Sequence, residues 1–276
     1  VYLTGIVRDK LGRKMSKTLG NSPDPLELIA KYGADAVRLG MLLCSSAGND
    51  ILYDESQIEQ GRNFNNKVWN AFRLVTGWTV DASAVQPEAS AVAVRWFEGK
   101  LSQVVETVED HFSKFRISDA LMAIYKFFWD DFCAWYLEAV KPAYGAGIDK
   151  VTYDATIGFF DALLKMIHPI MPFITEELWH ELYERKEGES IMTSTISRQP
   201  SAVSHQKSDI LNEVEKLKQI VSGVRNIRAS KNIPQKEVLT LNFEDAAQYT
   251  YRELLQKLAN CALSSGEGKS EASAKF

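Results

Sequence analysis

From Glu55 to about residue 230, apolar residues recur every three or four positions, interrupted by short polar or proline-bearing gaps. That period commits the chain to helices that each bury one stripe, which excludes a β-sandwich or barrel. Residues 55–77 form the first expected long helix. At 100° per residue, Phe64, Val68, Ala71, Phe72 and Val75 fall on one arc. Asn63, Asn66, Lys67, Asn70 and Arg73 fall on another, with Leu74 among them. Residues 79–90 read as a loop. A second helix over 91–113 carries Phe97, Leu101, Val104, Val108 and Phe112 on one face. Ser118 is placed to cap a third, which runs to about Lys141 with the stripe Leu121, Ile124, Phe128, Phe132 and Trp135. A fourth covers 149–167 with Phe160, Leu163, Leu164 and Ile167, and Pro169 breaks it. Pro172 can open the next, with Glu176 and Glu177 at its positive end. These stripes bury against one another, so the middle of the chain is expected to be a helix bundle.

The ends read differently. Residues 1–8 look like a strand entered midway, without an initiating methionine, so the chain is expected to be cut from a longer protein. Gly33 separates an expected helix over 26–32 from one over 36–44, for which Asp35 is the candidate cap, and residues 45–53 look irregular. Residues 184–206 are polar and read as an exposed linker. Helix 208–230 follows, with Ile210, Val214, Leu217, Val221 and Val224 on one face, then a short strand at 238–243 and a helix at 245–262. The tail from 264 is Ser, Gly, Glu and Lys and reads as disordered. The expected fold is mainly α: a helical bundle at 55–183, a short α/β segment before it at 1–54, the linker, and a small α+β appendage at 207–263.

Composition bounds the function. The 276 residues are 45% hydrophobic with a formal net charge of −4, so no overall basic footprint for nucleic acid exists and RNA contacts must use local patches. One patch is Arg8, Lys10, Arg13, Lys14 and Lys17, opposed in the same stretch only by Asp9; a second is Arg225, Arg228 and Lys231. No apolar run reaches membrane-spanning length, and neither a membrane nor DNA is an expected partner. Cys44, Cys133 and Cys261 lack paired spacing, which points to reduced thiols in a reducing, cytoplasmic compartment. His111, His168, His180 and His205 lack metal-ligand spacing, and no metal site is expected. His168 reads as bonded to backbone. Trp129, Trp135, Tyr136 and Trp179 read as core.

The densest chemistry lies in Lys14-Met15-Ser16-Lys17-Thr18, bracketed by Gly12 and Gly20 and followed by Ser22-Pro23-Asp24-Pro25. Gly and Pro at both ends mark a loop, and ammonium groups with hydroxyls on a loop suit the charge that develops on a transferring triphosphate. This stretch resembles the Lys-Met-Ser-Lys-Ser signature of class I aminoacyl-tRNA synthetases, with Thr18 in place of the usual Ser. Residues 19–40 resemble the segment after that loop in the valine, isoleucine and leucine enzymes. Asn63-Phe64-Asn65-Asn66-Lys67-Val68-Trp69-Asn70 and Val224-Arg225-Asn226-Ile227-Arg228-Ala229 are most similar to the valyl branch, and His168-Pro169-Ile170-Met171-Pro172-Phe173 is shared more widely in the group.

The resemblance implies a part of an enzyme that activates valine with ATP and transfers it to valine tRNAs. It implies Lys14 and Lys17 as the catalytic phosphate ligands, and Lys14, Met15, Ser16, Lys17 and Thr18 as the nucleotide-binding loop. Asn63, Asn66, Lys67, Asn70 and Arg73 become the anticodon-binding residues. ATP is then a substrate, accompanied by magnesium in the full-length enzyme, and no tightly bound cofactor is expected here. The family's His-rich first signature has no counterpart, so the chain alone is expected to be inactive. The rivals are an isoleucyl or leucyl fragment, a non-catalytic RNA-binding module, and a protein-interaction bundle. Taken without the resemblance, the asparagines would read more readily as interhelical hydrogen-bonders.

Overall fold

A computed structural model describes residues 5–45, 49–196, 205–242 and 249–264. The start of the expected N-terminal strand, the first part of the last expected helix and the polar tail lie outside these residues. In chain order the elements are β1 (Val7–Arg8), α1 (Pro25–Tyr32), α2 (Ala34–Leu43), β2 (Ile51–Leu52), α3 (Glu55–Thr76), β3 (Val80–Asp81), α4 (Glu88–Ser113) and α5 (Ile117–Lys126). Helix α5 continues through a π-helical stretch, Phe127–Tyr136, into α6 (Leu137–Val140). Then come β4 (Ile148–Asp149), α7 (Lys150–Ile167), α8 (Pro172–Leu182), α9 (His205–Lys231), β5 (Leu239–Asn242), α10 (Arg252–Ala259) and β6 (Cys261–Ser264). The fold is mainly α, and among the described residues the strands lie in parallel pairs: β1 with β2, β3 with β4, β5 with β6.

The chain forms two compact units. The first comprises residues 1–78, 102–133 and 156–200. Its core is aromatic. Phe64 of α3 stacks on Tyr125 at 4.7 Å between ring centres and meets Phe128 edge-on at 5.5 Å, while Phe160 of α7 meets Phe72, Phe128 and Phe132. Fully burying one such ring contributes about 1.5–3 kcal/mol. Two glycines let α2 and α3 touch backbone to backbone. A Cβ on Gly40 would lie 2.7 Å from Ile58 Cα, and one on Gly61 would lie 2.4 Å from Ala36 O.

Several local expectations give way here. Helix α2 starts at Ala34 after Gly33, and Asp35 does not cap it. Asp35 is buried and accepts the N–H groups of Phe173 (3.3 Å) and Ile174 (2.7 Å), the orphan donors of the first turn of α8. Arg38 secures the same turn by donating to the carbonyls of Ile170 (2.8 Å) and Pro169 (3.1 Å). His168 bonds the Thr175 hydroxyl at 2.7 Å rather than backbone, and burial pushes its pKa down. Ser118 lies one residue inside α5, whose N-cap is Arg116. Phe112, placed on the buried stripe of α4, is 43% exposed. The irregular stretch before α3 contains β2, and the loop after it contains β3. After α8 the chain is not wholly exposed: Ile191, in a 3₁₀ turn at Ile191–Thr193, is buried, and its N–H and the Ser190 hydroxyl both donate to Glu176.

The second unit comprises residues 79–101, 134–155 and 201–276. Helix α9 buries Ile210, Val214, Leu217, Val221 and Val224, the stripe read from sequence. Its cations lie on indoles: Lys218 is 5.4 Å from the Trp96 ring centre and 5.3 Å from that of Trp135, and Arg225 is 4.8 Å from the latter. Trp135 is therefore half-buried beneath cations, whereas Tyr136 is core. The last helix ends at Ala259 because Asn260 takes a left-handed conformation (φ +48°), and the residues beyond turn into β6.

Candidate functional site

The loop after β1 is braced by two side chains. Asp9 accepts the N–H groups of Leu11 (3.0 Å) and Arg13 (2.9 Å), the Arg13 Nε–H (2.8 Å) and the Asn21 amide (3.0 Å). Those bonds, with Asn21 and Arg13 first, hold its carboxyl well below the usual carboxylate range. Asn21 spans the loop, because its Oδ1 also accepts the Ser16 N–H at 2.9 Å. Ser16 Oγ in turn accepts the Leu19 N–H at 3.1 Å. Gly12 and Gly20 take positive φ (+75° and +66°), which glycine adopts without strain.

Tertiary structure also sorts the five cations. Arg8 pairs with Asp50, Lys10 with Asp54 at 2.9 Å, and Arg13 with Asp9 at 2.7 Å. Lys10, and after it the Ser56 N–H, hold Asp54 down at about 2. The sequence expectation that Asp9 alone opposes this patch is thus corrected: Asp50 and Asp54 arrive from around β2. Lys14 and Lys17 remain exposed, with no ion pair among the described residues. Thr18 is exposed, and Met15 is half-buried. The loop therefore presents two uncompensated ammonium groups from a braced backbone, an arrangement suited to receiving negative charge.

The second site is the outer face of α3. Asp54 caps this helix through the Ser56 N–H at 3.0 Å, and Ile58, Phe64, Val68 and Val75 anchor the opposite face. Asn63, Asn66, Asn70 and Arg73 are exposed, and their side chains make no hydrogen bond among the described residues. Among the described residues these amides make no interhelical hydrogen bond. Lys67 is half-buried, with Nζ 5.3 Å from the ring centre of Trp129. Trp129 is also half-buried and stacks on Tyr125 at 5.6 Å, so it is not the enclosed core residue that its helical pattern implied. Trp179 is core, and its indole N–H donates to Asp161 at 2.8 Å. Glu59, which shares this face, is paired with Arg62 at 3.2 Å, and residues 60–78 add no further carboxylate, so the face is net cationic.

Of the late basic patch, Arg228 is withdrawn from the surface, whereas Arg225 is half-buried and Lys231 exposed. Arg228 is 1% exposed, and its guanidinium donates to the carbonyls of Pro234 (2.9 Å), Ala259 (3.3 Å) and Asn260 (2.9 Å). It ties the end of α9 to α10 and β6 and cannot reach a phosphate. Sequence reasoning missed Asp9, Asn21, Asp50 and Asp54 as the frame of the loop. For Asn21 a signal existed, since an asparagine directly after a turn glycine is a residue type that bonds nearby backbone.

The chain belongs to the family described as the anticodon-binding domain of tRNA ligases, whose family model matches residues 94–243. Residues 1–54 match the family of class I tRNA synthetases for isoleucine, leucine, methionine and valine. Among curated relatives, the valine–tRNA ligase of Parabacteroides distasonis is 56% identical over 100% of this chain and 31% of its own length. That of Christiangramia forsetii is 48% identical over 94% of this chain and 30% of its own length. That of Pseudothermotoga lettingae is 37% identical over 93% of this chain and 29% of its own length. The chain thus spans about a third of the length of the curated relatives it matches. Among the described residues no helix is long and apolar enough to cross a membrane.

Proposed function

We propose that this chain is the part of a valine–tRNA ligase that supplies the phosphate-binding signature loop and the anticodon-reading helices. The observation that carries this reading is the pair of unpaired lysines, Lys14 and Lys17, on a loop whose other cations are all neutralised. Relatives bearing the name valine–tRNA ligase, alignable along the whole chain, support the choice of amino acid over the isoleucyl and leucyl alternatives. The match of residues 1–54 to the synthetase family argues against a purely non-catalytic RNA module.

In this reading, Lys14 and Lys17 meet the phosphates of ATP as the valine carboxylate attacks the α-phosphorus, the bond to the β-phosphate breaks and pyrophosphate leaves, and positioning and charge carry the rate. Ser16 keeps the loop in shape through its bond to Leu19, leaving the two ammonium groups aimed outward. Magnesium accompanies ATP in the full-length enzyme. Among the described residues no three His, Cys, Asp or Glu side chains come together to hold a metal ion. Asn63, Asn66 and Asn70 offer donors and acceptors to base edges, and Lys67 and Arg73 meet phosphates of valine tRNA. The residues at 1–54, 55–183 and 207–263 serve as the synthetase segment, the anticodon-binding bundle and the appendage, and the work is done in the cytoplasm.

Binding of the chain to a valine tRNA transcript, against the same transcript carrying an isoleucine anticodon, tests this at two salt concentrations. Preference for the valine anticodon is expected. Equal, salt-sensitive binding would reduce the interaction to phosphate contacts and refute anticodon reading. The chain alone is expected to give no valine-dependent ATP–pyrophosphate exchange.

A further inference from the structure

The outer face of α3 carries a feature that the amide and cation row does not account for. Trp69 is 44% exposed, although a tryptophan ring is costly to leave in water. One side of its indole lies near Phe72, with ring centres 6.1 Å apart and planes at 32°. At 100° per residue Trp69 sits 40° from Arg73 and 60° from Asn66 on the same helix. Asn66 and Arg73 are exposed and have no partner among the described residues. Leu74, also 43% exposed, lies on the far side of the row. The helix thus holds a half-open indole beside amides and an unpaired guanidinium, in a stretch, residues 60–78, without a carboxylate.

Charge selects the occupant. The one exposed carboxylate in this row, Glu59, is paired with Arg62, so Lys67 and Arg73 leave the face net cationic and complementary to phosphate, and an indole with one open side offers a π-surface to any unstacked base. We propose that Trp69 is a base-stacking residue for single-stranded RNA. In this arrangement one unpaired base packs on the indole while Arg73 meets a neighbouring phosphate and Asn66 and Asn70 face base edges. The inference rests on the reading of α3 as the RNA-binding face and adds the residue that distinguishes unpaired from paired RNA.

The test uses the whole chain and two labelled RNA probes with equal numbers of phosphates: a hairpin with a single-stranded loop, and a fully paired duplex. Binding is followed by fluorescence anisotropy. Losing one base stack weakens binding about 5- to 150-fold. Trp69→Ala is therefore expected to lose that much on the hairpin and nothing on the duplex, while Trp69→Phe, which keeps a ring, stays within a few-fold of the parent. If Trp69→Ala lowers the melting temperature by uncovering Phe72, Trp69→Leu replaces it and is read the same way. Unchanged hairpin binding in the non-aromatic variant overturns the proposal and leaves the indole as a protein-docking residue. Equal losses on both probes, or a loss in Trp69→Phe matching that in Trp69→Ala, overturn it too. Arg73→Glu combined with Lys67→Glu separates the two levels. If this charge reversal abolishes hairpin binding while Trp69→Ala does not, only the stacking role fails. If it also leaves hairpin binding intact, the reading of the α3 face fails with it.

Discussion

Replacing Gly61 by Ala tests how the α3 face is held in place. Taken alone, the change should help, since Ala is favoured over Gly inside a helix by about 1 kcal/mol. The surroundings reverse the sign. The new Cβ would lie 2.4 Å from Ala36 O and 3.1 Å from Ala36 C and Cα, against an ordinary contact of 3.4 Å or more. All three atoms are backbone, so no side chain can swing aside, and α2 and α3 must separate by about 1 Å. Overpacking of this kind costs about 1–3 kcal/mol, and a backbone clash belongs at the upper end. The expected net effect is a loss of about 2 kcal/mol, or roughly 4–8 °C in melting temperature for a chain of this size. Gly158 is the internal control. It is an exposed residue of α7 in the same compact unit, with nothing within 4 Å of an added Cβ. Gly158→Ala should therefore raise the melting temperature by about 2–4 °C, gaining the propensity term alone. Thermal and urea denaturation followed by far-UV circular dichroism read both. If Gly61→Ala stabilises as much as Gly158→Ala, the backbone contact between α2 and α3 is not what positions α3.

Four other outcomes are expected. Arg228→Met leaves three carbonyls without their charged donor and should destabilise the second unit by about 2–4 kcal/mol in urea titrations, while RNA affinity stays unchanged. Asn21→Ala removes the bond to Ser16 and should speed tryptic cleavage after Lys14 and Lys17 several-fold; an unchanged rate would show that Asn21 does not brace the loop. The same brace should depend on acid. The folded pKa of Asp9 lies below its ordinary 3.8, so its contribution is complete above that value and disappears as pH falls through the folded one, seen as faster amide exchange at Leu11 and Arg13. Burial pushes the Cys133 thiol up to about 12, so alkylation at pH 8 should modify half-buried Cys44 first and reach Cys133 only on unfolding, as read by peptide mass spectrometry.

The period of apolar residues determined a great deal without any coordinates. It gave the helices from α3 to α9, the buried stripe of α9, and the division of α3 into a core face and an amide-cation face, because spacing along one helix fixes which side faces inward. Gly and Pro around Lys14–Thr18 marked the loop for an equally local reason: turn backbones need residues that tolerate them. What spacing does not carry is the identity of the neighbour across the fold. Only the tertiary structure decided that Asp50 and Asp54 neutralise Arg8 and Lys10, leaving Lys14 and Lys17 free, since those partners lie more than forty residues away along the chain. It turned Asp35 from a cap on its own helix into the cap of α8, buried Arg228 among carbonyls where sequence offered a phosphate ligand, and pressed α2 onto α3 at two glycines. Charge, amide and glycine are assigned their roles by whatever surface the chain's path brings within a few ångströms, and that path is a property of the whole fold rather than of any window of residues.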